Sequence, residues 1–355
     1  MKRLLLILAV ACVLFCGYYA ALEMGKEPET KEVPSTITEK DTNERASDSI
    51  TEINVTSVTE KNENTESQTE KTTSVIIETI LETEAVTENE LSDPQKDVRS
   101  ELKIPILMYH ALTKVSEEAS STVITVEKFE EHMAALADAG YTAIFFGDLL
   151  DYVKEGKKLP EKPILITFDD GYLSNLTLAG PILDKYGHKA TISVVGITAG
   201  SSTYKDTGVS IYPHFTFEAA KMAYGSGLFD FQSHTYDMHQ NELDEDHRKG
   251  MLQKENESEE DYIRAIRDDF FISKSLLESE IGNSCFVIIY PHGKCTPLAD
   301  SVLAKMGAEI SVTVEKGIST VKMGDMSSLR YLCRLNMDDD IGGEELLALV
   351  EGKEG

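Results

Sequence analysis

Leu165-Ile166-Thr167-Phe168-Asp169-Asp170-Gly171 is an apolar strand pattern that stops at two adjacent carboxylates and a glycine. A short apolar run of this kind is what a parallel strand buried on both faces requires. Its abrupt end places charge where such a strand opens onto a loop, and ligand sites of α/β folds gather at those ends. Neighbouring strand side chains point opposite ways, but a turn at Gly171 would bring Asp169 and Asp170 into one pocket with different tasks. Asp-Asp-Gly is also ordinary turn chemistry, so the stretch needs partners elsewhere in the chain.

Outward from it, strand and helix signals alternate. Strands are expected at 104–109, ending at His110, and at 142–145, 164–168, 189–195, 229–233, 286–290, 309–314 and 331–337. Helices are expected over 127–139, 148–154, 175–186, 216–224, 259–280 and 298–306, with loops at 196–213 and 241–258. This alternation predicts an α/β fold, either a distorted (β/α) barrel with about seven strands or an open sheet. Apolar strands end in His110, Asp169-Asp170 and His234, the pattern of a single rim that carries the chemistry.

Ser233-His234-Thr235-Tyr236-Asp237-Met238-His239 is the second informative stretch. On a helix, residues five apart sit about 140° from each other, so His234 and His239 can meet on one ion only if the chain turns between them. A strand end followed by a loop supplies that turn. Two imidazoles and one carboxylate are a usual ligand set for a catalytic zinc with an open position, and cobalt, nickel or iron would accept it too.

Taken together, these stretches resemble the polysaccharide deacetylases of the NodB-homology type, carbohydrate esterase family 4, over 104–337. Thr167-Phe168-Asp169-Asp170-Gly171 resembles the first motif of that family, and His234-Thr235 with His239 resembles the second. Ile106-Leu107-Met108-Tyr109-His110 and the wide histidine spacing look most like the branch that acts on poly-N-acetylglucosamine. The resemblance implies a NodB-like barrel and one divalent metal ion, Zn2+ first among Co2+, Ni2+ and Fe2+, held by Asp170, His234 and His239. It implies Asp169 as general base, His110 as general acid, and His292 of Pro291-His292-Gly293 as donor of a backbone N–H to an oxyanion. The family's arginine ahead of that third motif is absent, as are the aspartate that orients it and the leucine-x-histidine motif near the C-terminus. Arg334, in Arg334-Leu335-Asn336, is a candidate replacement tether for Asp169.

The implied activity is metal-dependent removal of N-acetyl groups from N-acetylglucosamine units of a cell-envelope or extracellular polysaccharide. An amide carbonyl is a poor electrophile, so polarisation by a Lewis acid, a base for the attacking water and an acid for the departing amine are each needed. Two alternatives stand beside it: an O-acetyl esterase acting on xylan or another glycan, and a glycan-binding module that keeps the metal triad without turnover. Tyr109, Tyr236 and Tyr290 are expected as lining or packing residues, and Phe168 as core.

Three further regions frame this part. Lys2 and Arg3 precede an apolar run over 4–22, which reads as a signal peptide or an uncleaved membrane anchor, with the body exported and tethered outside the membrane, or secreted if the signal is cleaved. Residues 23–103 are rich in Thr, Glu, Ser and Asn, too polar to fold alone, and read as a disordered acidic linker before a domain over 104–355. The net charge of -28 with no basic stripe excludes a nucleic-acid partner by its electrostatics, and oligomeric state is left open. Outside the apolar run lie Cys285, Cys295 and Cys333, an odd set that allows a Cys285 to Cys295 bridge without demanding it. His132, His188 and His247 are expected at the surface.

Overall fold

A computed structural model describes residues 100–353. The expected apolar segment at 1–22, and 23–99 of the expected linker, lie outside the described residues. Regular structure begins at β1 (Glu101–Ile104) and continues with β2 (Ile106–Tyr109), β3 (Ala111–Thr113), β4 (Val123–Thr125), α1 (Val126–Asp138), β5 (Thr142–Ala143) and α2 (Phe146–Glu155). After these come β6 (Pro163–Phe168), α3 (Gly180–Tyr186), β7 (Ala190–Val194), α4 (Phe217–Tyr224), β8 (Phe229–Ser233), α5 (Glu259–Leu276), β9 (Val287–Ile289) and α6 (Pro297–Lys305). The chain ends with β10 (Ile310–Lys316), β11 (Ser319–Lys322), β12 (Leu332–Asn336) and α7 (Gly343–Val350).

Seven parallel strands close into a barrel in the order β2, β12, β10, β9, β8, β7, β6 and back to β2. Closure is made by β2, which pairs with β6 on one side, Tyr109 opposite Phe168, and with β12 on the other, Leu335 opposite Leu107. Short β5 joins β6 alongside the ring. All of β2, β6, β7 and β9 is buried, as strands covered on both faces must be. The α/β barrel expected from the alternation is therefore present.

Local differences have local causes. Pro105 has no N–H to donate to a ladder, so the strand expected over 104–109 splits into β1 and β2. β1 leaves the ring and pairs antiparallel with β11. Helix α7 was not expected, although Leu346 and Val350 repeat at helical spacing and both are buried. It docks on α1 because the Gly343 N–H donates to the Glu131 carboxylate at 2.7 Å and Gly343 lets it approach Ala135 closely.

One expectation is corrected here. No helix among the described residues is long and apolar enough to cross a membrane. The longest, α5, has 18 residues, short of the roughly 20 apolar ones a span needs, and charged residues recur along it. The run on which a membrane partner and anchored location were placed lies outside the described residues, so neither is carried further.

Two histidines expected at the surface are buried instead. His132 lies on the apolar face of α1 with Phe129, Met133 and Leu136. Its Nδ1 meets the Tyr109 hydroxyl at 3.0 Å and its Nε2 meets the Ile341 carbonyl at 2.7 Å, so the ring ties β2, α1 and the loop before α7 together. His188 is buried as well, with Nε2 3.2 Å from the Met133 carbonyl, while His247 is half-buried. The three cysteines are free, so the possible Cys285 to Cys295 bridge is absent.

Candidate metal centre

β6 delivers the two aspartates and the turn that follows separates their tasks. Asp170 has φ +73° and Gly171 φ +89°, two successive residues in the left-handed region. Such a conformation is costly for a residue with a Cβ and persists where the surroundings over-determine it, commonly at functional sites. At Gly171 a Cβ would also crowd the Phe215 ring at 3.3 Å. The kink sends Asp169 inward and Asp170 towards β8.

Asp169 is 2% exposed, and its partners come from three other strands. Arg334, fully buried on β12, donates Nη1–H to Oδ1 at 2.8 Å and Nη2–H to Oδ2 at 2.7 Å. The Ser193 hydroxyl on β7 donates to Oδ1 at 2.8 Å, and His110 Nε2, after β2, stands 3.9 Å from Oδ2. Burial opposes ionisation of Asp169, but Arg334, His234 and His110 outweigh it and hold the carboxyl well below the usual range. Arg334, the candidate tether in the sequence, thus reaches Asp169 through barrel closure. His110 itself is held by Asn175, whose side-chain amide donates to its carbonyl at 2.6 Å.

Asp170, His234 and His239 converge. Both His234 Nε2 and His239 Nε2 lie 3.5 Å from Asp170 Oδ1, and one donor atom from each residue falls within 4.8 Å of the others. His234 Nδ1–H donates to the Ile289 carbonyl at 2.8 Å, which leaves the Nε2 lone pair facing the cluster. Burial pushes its pKa down to about 4, so the ring is neutral at physiological pH, the form that ligates. Asp170 Oδ1 is buried without a hydrogen-bond partner. An orphaned carboxylate oxygen facing two imidazoles is costly alone and is what a divalent cation would satisfy. The donor set fits one ion.

The turn that lets His239 reach Asp170 depends on Thr235, of the second motif, and on Asp269, which belongs to none. Thr235 has φ +74°. Its N–H donates to Ser233 Oγ at 3.1 Å, and its own hydroxyl accepts the Met238 N–H at 3.1 Å. Asp269 on α5 accepts the Tyr236 N–H at 2.9 Å and the Asp237 N–H at 2.7 Å, one on each carboxylate oxygen. Burial raises the Asp269 pKa to about 6 against those two donors. Sequence reasoning missed Asp269, and the available signal was slight: a carboxylate on the buried face of an amphipathic helix. Beyond His239 lies loop 241–258. It is organised on buried Arg248, whose guanidinium holds Glu257 and the Leu252 carbonyl.

Asp269→Ala is expected to lower divalent-ion affinity about 10–100-fold, the usual cost of losing a group that orients ligands, with the fold retained. Competition against a chromophoric chelator measures it, and unchanged affinity would show that the turn holds without the carboxylate.

His292 also sits at this rim, with φ +55° and its ring 4.3 Å from that of His239. Of the tyrosines expected as lining or packing residues, Tyr109 and Tyr290 pack in the core, their hydroxyls on His132 and Asp300, while Tyr236 is half-buried.

Residues 156–311, which hold the aspartate turn, the histidine loop and the third motif, match the family model Polysaccharide deacetylase. Over this region the chain is similar to polysaccharide deacetylases, and it has relatives of more than one type. The chain is 29% identical to the Bacillus subtilis (strain 168) protein YxkH, named as a polysaccharide deacetylase, over 70% of this chain and 76% of the relative. It is 24% identical to the poly-β-1,6-N-acetyl-D-glucosamine N-deacetylase of Escherichia coli O157:H7, over 62% of this chain but only 35% of that enzyme. These relatives do not single out one branch. Among solved structures, the de-N-acetylase of Aggregatibacter actinomycetemcomitans shares the fold at a TM-score of 0.59 and 22% identity, covering 70% of this chain and 99% of that one.

Proposed function

We propose that this protein is a metal-dependent hydrolase that removes N-acetyl groups from N-acetylglucosamine units of a polysaccharide, with zinc as the ion. The observation that carries the reading is the orphaned Asp170 Oδ1 facing His234 and His239, beside an Asp169 locked by Arg334. When bound by Asp170, His234 and His239, a divalent ion supplies Lewis acidity towards an amide carbonyl and raises the acidity of water.

The remaining work falls to the chain itself. Asp169, held ionised by Arg334, takes the proton of the attacking water on Oδ2, the oxygen that faces His110. The His292 backbone N–H, at the tight turn after β9, donates to the oxygen on which charge develops. His110 gives a proton to the nitrogen as the C–N bond breaks, because an amine leaves badly as an anion. The products are acetate and a free amine. Arg334 and Ser193 hold Asp169 so that only one lone-pair direction is available to water. With Arg334 in place, the missing arginine no longer favours a binding module.

Asp169→Asn should lower kcat by about 10²–10⁴, the range for losing a general base, with metal content intact. The assay is acetate release from N-acetylglucosamine oligomers by the zinc-loaded protein, with primary amines counted in parallel. Acetate without amine would move the reading to O-acetyl esterase activity. Full turnover by the Asn variant would remove Asp169 from the base role.

A further inference from the structure

Next to the metal cluster, three rings outside the roles assigned above run from the aspartate turn to the surface. Backbone pairing places them. The Phe215 N–H donates to the Gly171 carbonyl at 3.2 Å and the Leu173 N–H to the Pro213 carbonyl at 2.7 Å, which sets Tyr172 opposite His214. Their ring centroids are 4.7 Å apart, and Tyr172 follows the Asp170-Gly171 turn directly. Tyr212 meets Tyr172 edge-on at 6.1 Å and is 39% exposed.

Two polar features accompany the rings. His214 is only 8% exposed, yet its Nδ1 has no hydrogen-bond partner. The Tyr212 hydroxyl donates to Glu118 Oε2 at 3.4 Å, the same oxygen that accepts from the Thr113 hydroxyl at 2.7 Å, which leaves Oε1 outside both bonds. Loop 196–215 and the turn after β3 are thereby joined across the rim.

We propose that Tyr172, Tyr212, His214 and Glu118 form a sugar subsite one unit away from the residue being deacetylated, and that it prefers a unit with a free ammonium. The proposal rests on the deacetylase reading and extends it to substrate choice. A half-exposed tyrosine offers an apolar face to a pyranose ring and a polar tip to its hydroxyls. A buried ring nitrogen without a partner is rare in a finished core and is satisfied by a ligand hydroxyl. The Glu118 carboxylate at the outer end favours a cation over a neutral acetamide, through an attraction that salt screens. The product of one turnover is then the favoured neighbour for the next, so the protein acts better on partly deacetylated chains than on untouched ones.

The test uses the full, metal-loaded chain with N-acetylglucosamine tetramers, fully acetylated or carrying one free amine. The wild type should show the higher kcat/KM on the amine-bearing tetramer, a preference that fades as salt rises. Tyr212→Ala should raise KM about tenfold with kcat within about threefold, the size expected for one lost ring contact. Glu118→Gln should erase the preference while both tetramers remain substrates. An unchanged KM in an active Tyr212→Ala protein, or no preference in the wild type, would overturn the subsite and leave the deacetylase reading in place. A second readout separates the two ideas: calorimetric titration of glucosamine tetramer into the wild type and Tyr212→Ala. Binding that weakens about tenfold in the variant, with no acetate released from any oligomer, keeps the subsite and removes the deacetylase reading. Neither binding nor turnover overturns both.

Discussion

Arg334→Met is expected to destabilise the barrel by about 3–5 kcal/mol, the cost of breaking a buried ion pair from one side. The guanidinium is fully buried and supplies two charge-assisted hydrogen bonds to Asp169, one more to Thr167 Oγ1 at 3.2 Å and one to the Thr313 carbonyl at 2.8 Å. Methionine fills comparable volume but leaves Asp169 charged and unmatched in the core. Asp169→Asn alone removes a charge from the same pair. The double variant therefore should recover a substantial part of the loss, because neither charge is then stranded. It should remain inactive, since asparagine is no base. Urea unfolding of the four proteins measures the coupling. Strictly additive effects would mean that Arg334 acts through packing alone.

Loss of the metal response in Asp170→Ala is the second large effect. An ion that binds only the folded chain stabilises it by about 2.7 kcal/mol at a hundredfold excess over its dissociation constant. Zinc titration should therefore raise the melting temperature of the wild type and leave that of Asp170→Ala almost unmoved. A preserved rise in the variant would place the ion elsewhere.

The metal-free protein should also lose stability as the medium is acidified. His234 is pushed down to about 4 by burial, and burial likewise lowers His132, His188 and His214. Each is neutral in both states above the ordinary histidine pKa of about 6.5, so their contribution is fully present there. Below it the unfolded chain takes up protons that the folded one refuses, and the contribution is lost as pH falls towards 4. Asp169 and Asp170, whose pKa values are lowered, add a second loss in the window below the ordinary carboxylate value. A stability profile flat from pH 7 to 4 would contradict this.

Much of this was legible because it is local. Alternating strand and helix patterns carry their own periodicity, and an apolar strand that ends in charge marks a rim regardless of its neighbours. His132 was misread for an equally local reason, since its place on the same helix face as Phe129, Met133 and Leu136 already announced burial. Asp269 was not legible in that way. Its task is defined by two backbone N–H groups more than thirty residues away, at Tyr236 and Asp237.

The amino-acid order by itself settled the α/β class and the donor chemistry, because both depend on residue types within a few positions of one another. The tertiary structure alone decided which groups meet. Arg334 reaches Asp169 across 165 positions because β2 closes the ring between β6 and β12. Two left-handed residues at the end of β6 turn adjacent carboxylates towards different partners. Loop closure and backbone kinks of this kind are set by packing between distant elements, which no periodicity along the chain encodes.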